Sequence, residues 1–207
     1  RKVTAMNKNI VLCGVGGQGT VLASKLIAAA AMQKDLPVMS AETIGMAQRG
    51  GSVVSHVRMG EEIYSPMIPQ GSAEVRLSFE PAEAVRNLPY LKRGKEEGIV
   101  IVNRKALQPV TASLDGKGYN GEEMLDFLRK KVKRLYVVDG EAICNKAGSS
   151  KTLNIALLGA AAAGNVLGIS MEEMEREIKR RVKPEYQEMN LKAFALGAQA
   201  VCGAFGQ

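Results

Sequence analysis

Short, continuous apolar runs alternate along this chain with longer stretches of helical spacing. Asn9 to Cys13 is an apolar run that ends at a glycine, the pattern of a buried parallel strand. Thr20 to Gln33, rich in Ala, Leu and Ile, predicts a helix, and Leu36 to Met39 a second strand. These three form a β-α-β unit with a right-handed crossover. Ser40 to Gly51 reads as a loop, and Ser52 to Arg58 as a strand. Met59 to Glu62 has turn chemistry, so Ile63-Tyr64-Ser65 is expected to pair back on that strand as a hairpin. Pro66 and Pro69 then interrupt regular structure.

Val75 to Phe79 and Ile99 to Val102 predict further strands, and Glu80-Pro81 opens a helix between them. Glu122 to Lys133 has the spacing of an amphipathic helix with Met124, Leu125, Phe127 and Leu128 inward. Leu135 to Val138 is the last strand. Four helical stretches follow, over about Glu141–Lys146, Thr152–Leu167, Ser170–Val182 and Pro184–Val201, with Ser170 and Glu173 spaced as a capping box. The pattern implies an α/β fold with a doubly wound, mostly parallel sheet and a small antiparallel insertion. One domain over 8–207 is expected, with a helical C-terminal part from about 141 to 207 and a flexible N-terminal 1–7.

Composition narrows the classes. The 207 residues are 46% hydrophobic and 24% charged, which suits an ordinary globular chain. The longest apolar stretch, Leu153 to Leu167, is short of a membrane span and contains Asn154 and Asn165. No membrane association is expected, and the first residues are polar and basic, so the expected location is the cytoplasm. Cys13, Cys144 and Cys202 stand far apart with no C-x-x-C, which argues against this chain holding an iron–sulfur cluster or zinc alone. The net charge is +7. Its densest group, Arg129 to Arg134, fits a solvated helix end better than an RNA-binding patch, because aromatic stacking residues are sparse. No nucleic-acid partner is expected, and an acidic ligand or partner surface stays open.

Gly14-Val15-Gly16-Gly17-Gln18-Gly19 matches G-x-G-x-x-G between a predicted strand and a predicted helix. Glycines let the backbone approach a ligand, and a helix N-terminus offers free N–H groups to an anion. The same glycines also serve tight packing alone. A dinucleotide site wants an acid at the end of the second strand. The nearest, Glu42, falls beyond it, inside the next loop, so NAD binding is disfavoured. Gln48-Arg49-Gly50-Gly51-Ser52 forms a second glycine loop. Both loops should share the carboxyl edge of the sheet, with Gln18, Glu42, Gln48 and Arg49 as neighbours. Arg49 suits either a phosphate or carboxylate ligand or a loop-fixing role. His56, the single histidine, has no local cysteine or histidine companions, and a packed or partner-facing role is expected. Asp139-Gly140 with Asn145 only superficially matches a metal-diphosphate motif, since Val138 replaces its leading glycine.

Over most of its length the sequence resembles the gamma subunit or domain of 2-oxoacid:ferredoxin oxidoreductases, nearest to the beta subunit of the indolepyruvate enzymes. The resemblance rests on GVGGQG (Gly14–Gly19), AETIGMAQRGGSVVSHVR (Ala41–Arg58), SPMIPQGSAE (Ser65–Glu74), FEPAEAVRNLPYL (Phe79–Leu91), IVIVN (Ile99–Asn103) and NIALLGAAAAG (Asn154–Gly164). Ala73-Glu74 stands where the family usually has Ala-Asp. The resemblance implies a Rossmann-like domain in a complex that oxidatively decarboxylates a 2-oxoacid to an acyl-coenzyme A and passes electrons to ferredoxin. It places thiamine diphosphate, magnesium and iron–sulfur clusters in partner catalytic subunits, with ferredoxin an indirect partner. A coenzyme A contact and a homodimer are left open. The expected cofactor-binding or subunit-facing residues are Gly14, Gly16, Gly17, Gln18, Gly19, Glu42, Gln48, Arg49, Gly50, Gly51 and Ser52, with no catalytic residue and no metal ligand. The alternative is a stand-alone nucleotide- or coenzyme A-binding protein on the same loop.

Overall fold

A computed structural model describes residues 7–44, 50–108 and 118–202. Its strands are β1 (Lys8–Val15), β2 (Val38–Ile44), β3 (Ser52–Met59), β4 (Val75–Ser78), β5 (Ile99–Asn103) and β6 (Leu135–Val138). Its helices are α1 (Thr20–Met32), α2 (Pro81–Arg86), α3 (Gly121–Lys131), α4 (Gly140–Ala147), α5 (Leu153–Ala163), α6 (Met171–Arg181) and α7 (Pro184–Ala200). The strands form one sheet in the order β2-β3-β1-β4-β5-β6.

β1, β4, β5 and β6 pair in parallel. β4 and β5 are buried along their whole length; β5 reads as a nearly unbroken apolar run, whereas β4 carries Arg76 and Ser78 beside Val75 and Leu77. β3 runs antiparallel between β1 and β2. β2 therefore points the same way as β1, as a β-α-β unit requires, but with β3 inserted between the two. The antiparallel insertion is present with different partners from those expected. Ile63-Tyr64-Ser65 forms no strand, and β3 uses both its edges on β1 and β2 instead. The expected loop also begins too early: Ser40 to Ile44 belongs to β2. This edge strand has exposed positions on both faces, so it lacks the alternation that marks a half-buried strand.

The sheet separates two apolar layers. Ile10, Leu12, Val57, Val75, Leu77 and Ile101 pack on the side of α1, α5 and α7. Val100 and Val102 pack on the other side against Leu125 and Leu128 of α3. Phe127, expected inward, is 41% exposed, because α3 buries only a narrow stripe. α5 is apolar all round and sits in the interior, as such a helix must. It crosses α7 closely: a Cβ on Gly159 would lie 2.0 Å from the Phe194 carbonyl oxygen, and one on Gly197 would lie 1.9 Å from that of Ala156. α6 begins at the capping box that Ser170 and Glu173 predict.

Candidate site at the carboxyl edge of the sheet

β1 ends in the glycine-rich loop, and α1 begins after it. Gly17 and Gly19 have φ of 101° and 83°, where a side chain is strained. Gly19 also lies against α5, since its Cβ would meet the Asn154 side chain at 2.9–3.1 Å. Gly14 is needed for packing, because a Cβ there would lie 2.8 Å from that of Phe79. Gln18 folds back on the protein. Its Oε1 accepts from the Val15 N–H at 2.7 Å, and its Nε2 donates to the Phe79 carbonyl at 3.0 Å.

The two glycine loops meet: the Gly16 N–H donates to the Gly51 carbonyl at 2.9 Å. Ser52 Oγ donates to Glu83 Oε2 at 2.5 Å and so points towards α2. Glu42 departs from expectation. It lies on β2 opposite Ser55, and its Oε1 accepts from Ser24 Oγ of α1 at 3.4 Å. It is a strand residue tied to the helix, so the loop position expected for it is corrected. The site residues thus gather as Gly14 to Gly19 with Gly50, Gly51 and Ser52, while Glu42 is bonded elsewhere. Gln48 and Arg49 lie outside the described residues.

Two further segments, the end of β5 and the start of α4, complete this edge, and the sequence reading gave their residues no site role. Asn103, at the end of β5, donates from Nδ2 to the Phe79 carbonyl at 3.1 Å and accepts from the Gly140 N–H at 3.2 Å. Asp139 caps α4 by accepting from the Ala142 N–H at 2.9 Å. Its pairing with Gly140 is therefore a helix start, which explains the superficial motif. Between these loops lies a pocket of about 220 Å³, lined by Gly17, Gln18, Asn103, Lys105, Glu141 and Cys144 among others. Lys105 is paired with Glu141 at its rim. Burial pushes the Cys144 thiol up from its ordinary value, although the Thr152 hydroxyl bonded to its sulfur works the other way. The Gln18 and Asn103 amides are engaged within the protein, and Lys105 is paired with Glu141.

A second polar cluster lies beneath α2. Arg76 is fully buried. Its Nη2 donates to the Ala84 carbonyl at 2.7 Å and approaches Cys13 Sγ at 3.7 Å, while Nε and Nη1 have no protein partner. Burial lowers the Arg76 pKa and raises that of Cys13. No sequence signal marked this arginine, which sits in an otherwise ordinary strand. His56 is packed. Its Nδ1 accepts from the Ile68 N–H at 3.3 Å, its ring stands edge-on to Tyr90 at 5.3 Å, and burial lowers its pKa. Among the described residues, no three His, Cys, Asp or Glu side chains come together to hold a metal ion.

Comparison with known proteins agrees with this architecture. Residues 9–200 match the family described as pyruvate ferredoxin/flavodoxin oxidoreductase. The chain is 40% identical over 200 residues to the indolepyruvate oxidoreductase subunit IorB of Archaeoglobus fulgidus, covering 96% of this chain and 98% of that one. It is 38% identical over 197 residues to IorB of Thermococcus kodakarensis, covering 93% and 95%. Among solved structures, the gamma subunit of a keto/oxoacid ferredoxin oxidoreductase from Geobacter sulfurreducens has the same fold, with a TM-score of 0.65, 23% identity and coverage of 94% and 98%. The 2-oxoglutarate:ferredoxin oxidoreductase of Magnetococcus marinus contains the fold within a longer chain: the match covers 95% of this chain and 31% of that one, at a TM-score of 0.71 and 19% identity. With the family match running from β1 to the end of α7, this chain belongs to the pyruvate ferredoxin/flavodoxin oxidoreductase family.

Proposed function

We propose that this chain is the non-catalytic, gamma-type subunit of a 2-oxoacid:ferredoxin oxidoreductase that acts on indolepyruvate or a related arylpyruvate. The observation that carries this is the end-to-end match at 38–40% identity to indolepyruvate oxidoreductase subunits. The common gamma subunit of the pyruvate/ketoisovalerate oxidoreductases of Pyrococcus abyssi is 30% identical. The complex decarboxylates its 2-oxoacid, joins the acyl group to coenzyme A and delivers electrons to ferredoxin in the cytoplasm. Thiamine diphosphate, held with magnesium in a partner subunit, supplies the decarboxylation chemistry, and iron–sulfur clusters there carry the electrons.

The role of this chain follows from its carboxyl edge. Gln18 and Asn103 lock the loops after β1, β4 and β5 together, which makes a rigid platform of Gly14 to Gly19 and Gly50 to Ser52. This platform meets the catalytic subunit and shapes the approach of coenzyme A or substrate, with Gln48 and Arg49 as further contact residues. A preformed surface of this kind binds with little loss of conformational freedom.

Co-expression with the thiamine-binding subunit from the same source tests the reading. The expected result is indolepyruvate-dependent, coenzyme A-dependent dye reduction by the pair and none by either chain alone. Turnover by this chain alone with added thiamine diphosphate would overturn it. So would tight stoichiometric binding of a dinucleotide with no association between the chains.

A further inference from the structure

The opposite, amino-terminal edge of the sheet plays no part in that reading, yet it gathers cations from separate stretches of the chain. Between the loop that feeds β5 and the end of α3 lies a groove of about 680 Å³. Arg93 and Lys95 line it from the loop, Arg129, Lys130 and Lys131 from the last turn of α3, and Lys133 from the turn into β6. The one carboxylate lining it is Glu97. Six cations and one carboxylate line the groove, and Asp126 and Glu122 pair with Arg129 from beside it.

The helix dipole accounts for cations in the last turn of α3. It does not account for Arg93 and Lys95, which arrive from a distant part of the sequence. Their placement is built in: Arg93 Nη1 donates to the Lys131 carbonyl at 2.7 Å, fastening the loop to the helix end. Glu97 is already shared, by Arg93 at 3.2 Å and Lys133 at 3.9 Å. Arg129 pairs with Asp126. Lys95 and Lys130 have no hydrogen-bond or ion-pair partner among the described residues. The like charges of the groove repel one another, and its single lining carboxylate, Glu97, offsets only part of that repulsion.

We propose that this groove docks a carboxylate-rich surface of the catalytic subunit, as a second contact on the edge opposite the glycine loops. The proposal rests on the subunit reading. Charge complementarity across such a contact speeds encounter and fixes orientation. Protein carboxylates fit better than nucleic acid, because no aromatic residue lines the groove to stack on a base.

The test is the rate of association of the full chain with the purified catalytic subunit, at roughly 0.05 M salt and at about 1 M salt, where screening acts within about 3 Å. The Lys95→Glu/Lys130→Glu variant should associate at least about tenfold more slowly at low salt, with the difference closing at high salt. Lys95→Gln/Lys130→Gln should show a smaller fall in the same direction. Both pairs of side chains are outside the core, and an unchanged thermal midpoint confirms that the fold is kept. Equal rates for wild type and charge-reversed variant at low salt would overturn the groove proposal alone. Failure of the wild type to associate at all would overturn the subunit reading, and this proposal with it. Retardation of duplex DNA that the variant loses, with subunit association intact, would replace it by phosphate binding.

Discussion

Gln18 and Asn103 donate to the same oxygen, the carbonyl of Phe79, at 3.0 and 3.1 Å. One acceptor at the end of β4 thereby joins the loop after β1 to the end of β5. Asn103 extends the link to α4 through the Gly140 N–H.

Removing Asn103 should cost more than removing Gln18. Asn103 is 2% exposed, and Asn103→Ala leaves the Gly140 N–H without its acceptor in the interior. The expected loss is about 1–3 kcal/mol. Gln18 lies closer to solvent, and water can replace part of what Gln18→Ala removes. Because the two share an acceptor, their effects should couple by roughly 0.5 kcal/mol or more. Urea denaturation of the single and double variants measures this. Strict additivity would show that the shared carbonyl does not link them.

This clamp also shows where sequence reading stops. β1 and β5 were legible because strands buried on both faces are largely apolar, and β4 from Val75, Leu77 and Phe79 around the buried Arg76. The strand-glycine-helix order marked the loop at Gly14 to Gly19. β2 was cut short because an edge strand exposed on both faces carries polar residues such as Ser40, Glu42 and Thr43. The pairing of β3 was misread because a local hairpin is the nearest partner in sequence, whereas the actual partners are set by the whole sheet. Asn103, Lys105 and Gly140 left no local signature. They belong to the site only because parallel strands end at a common edge. Asn154 of α5 lies against Gly19, a contact that no local pattern announces.

The crossing of α5 and α7 should tolerate no side chain at its glycines. A Cβ at Gly159 or Gly197 would fall within 2.0 Å of a backbone oxygen, and backbone cannot rotate aside as a flexible side chain can. Each Gly→Ala change should therefore force the helices apart and cost about 3 kcal/mol, the upper part of the overpacking range. This should outweigh the roughly 1 kcal/mol gained from the better helix propensity of alanine. Gly17→Ala is the control. It has open space around it and only an unfavourable φ, so its cost should be nearer 1–2 kcal/mol, roughly the left-handed penalty. Thermal midpoints that ranked the three variants in the opposite order would contradict this packing.

Arg76 is expected to be dispensable for stability. Guanidinium stays charged in proteins, yet two of its nitrogens are buried without protein partners, and desolvation lowers its pKa. Arg76→Met keeps much of the volume and removes the buried charge. Removing the unpaired buried charge relieves its desolvation cost, against about 1 kcal/mol for the lost hydrogen bond to the Ala84 carbonyl. Arg76→Ala should instead destabilise, since it leaves a cavity beneath α2. A large loss of stability in Arg76→Met would mean that Arg76 has partners beyond Ala84 and Cys13.

His56 should give the fold a pH dependence that one substitution removes. Burial holds its imidazole below its ordinary value of 6.5, so the folded protein keeps it neutral where the unfolded chain already binds a proton. Above pH ~7 both states are neutral at this group, and the full stability is present. As the pH falls through about 6.5 the unfolded chain gains a proton first, and stability drops until the folded form also titrates. The maximum slope for one group is about 1.4 kcal/mol per pH unit. His56 is the only histidine, so no other imidazole contributes between pH ~5 and ~7. In His56→Asn the amide oxygen can accept from the Ile68 N–H in place of Nδ1 but cannot titrate. That variant should start less stable at pH ~7, having lost the ring contact with Tyr90, and should lose less on acidification. Parallel unfolding curves for the two proteins across this range would show that His56 takes up its proton equally in the folded and unfolded states.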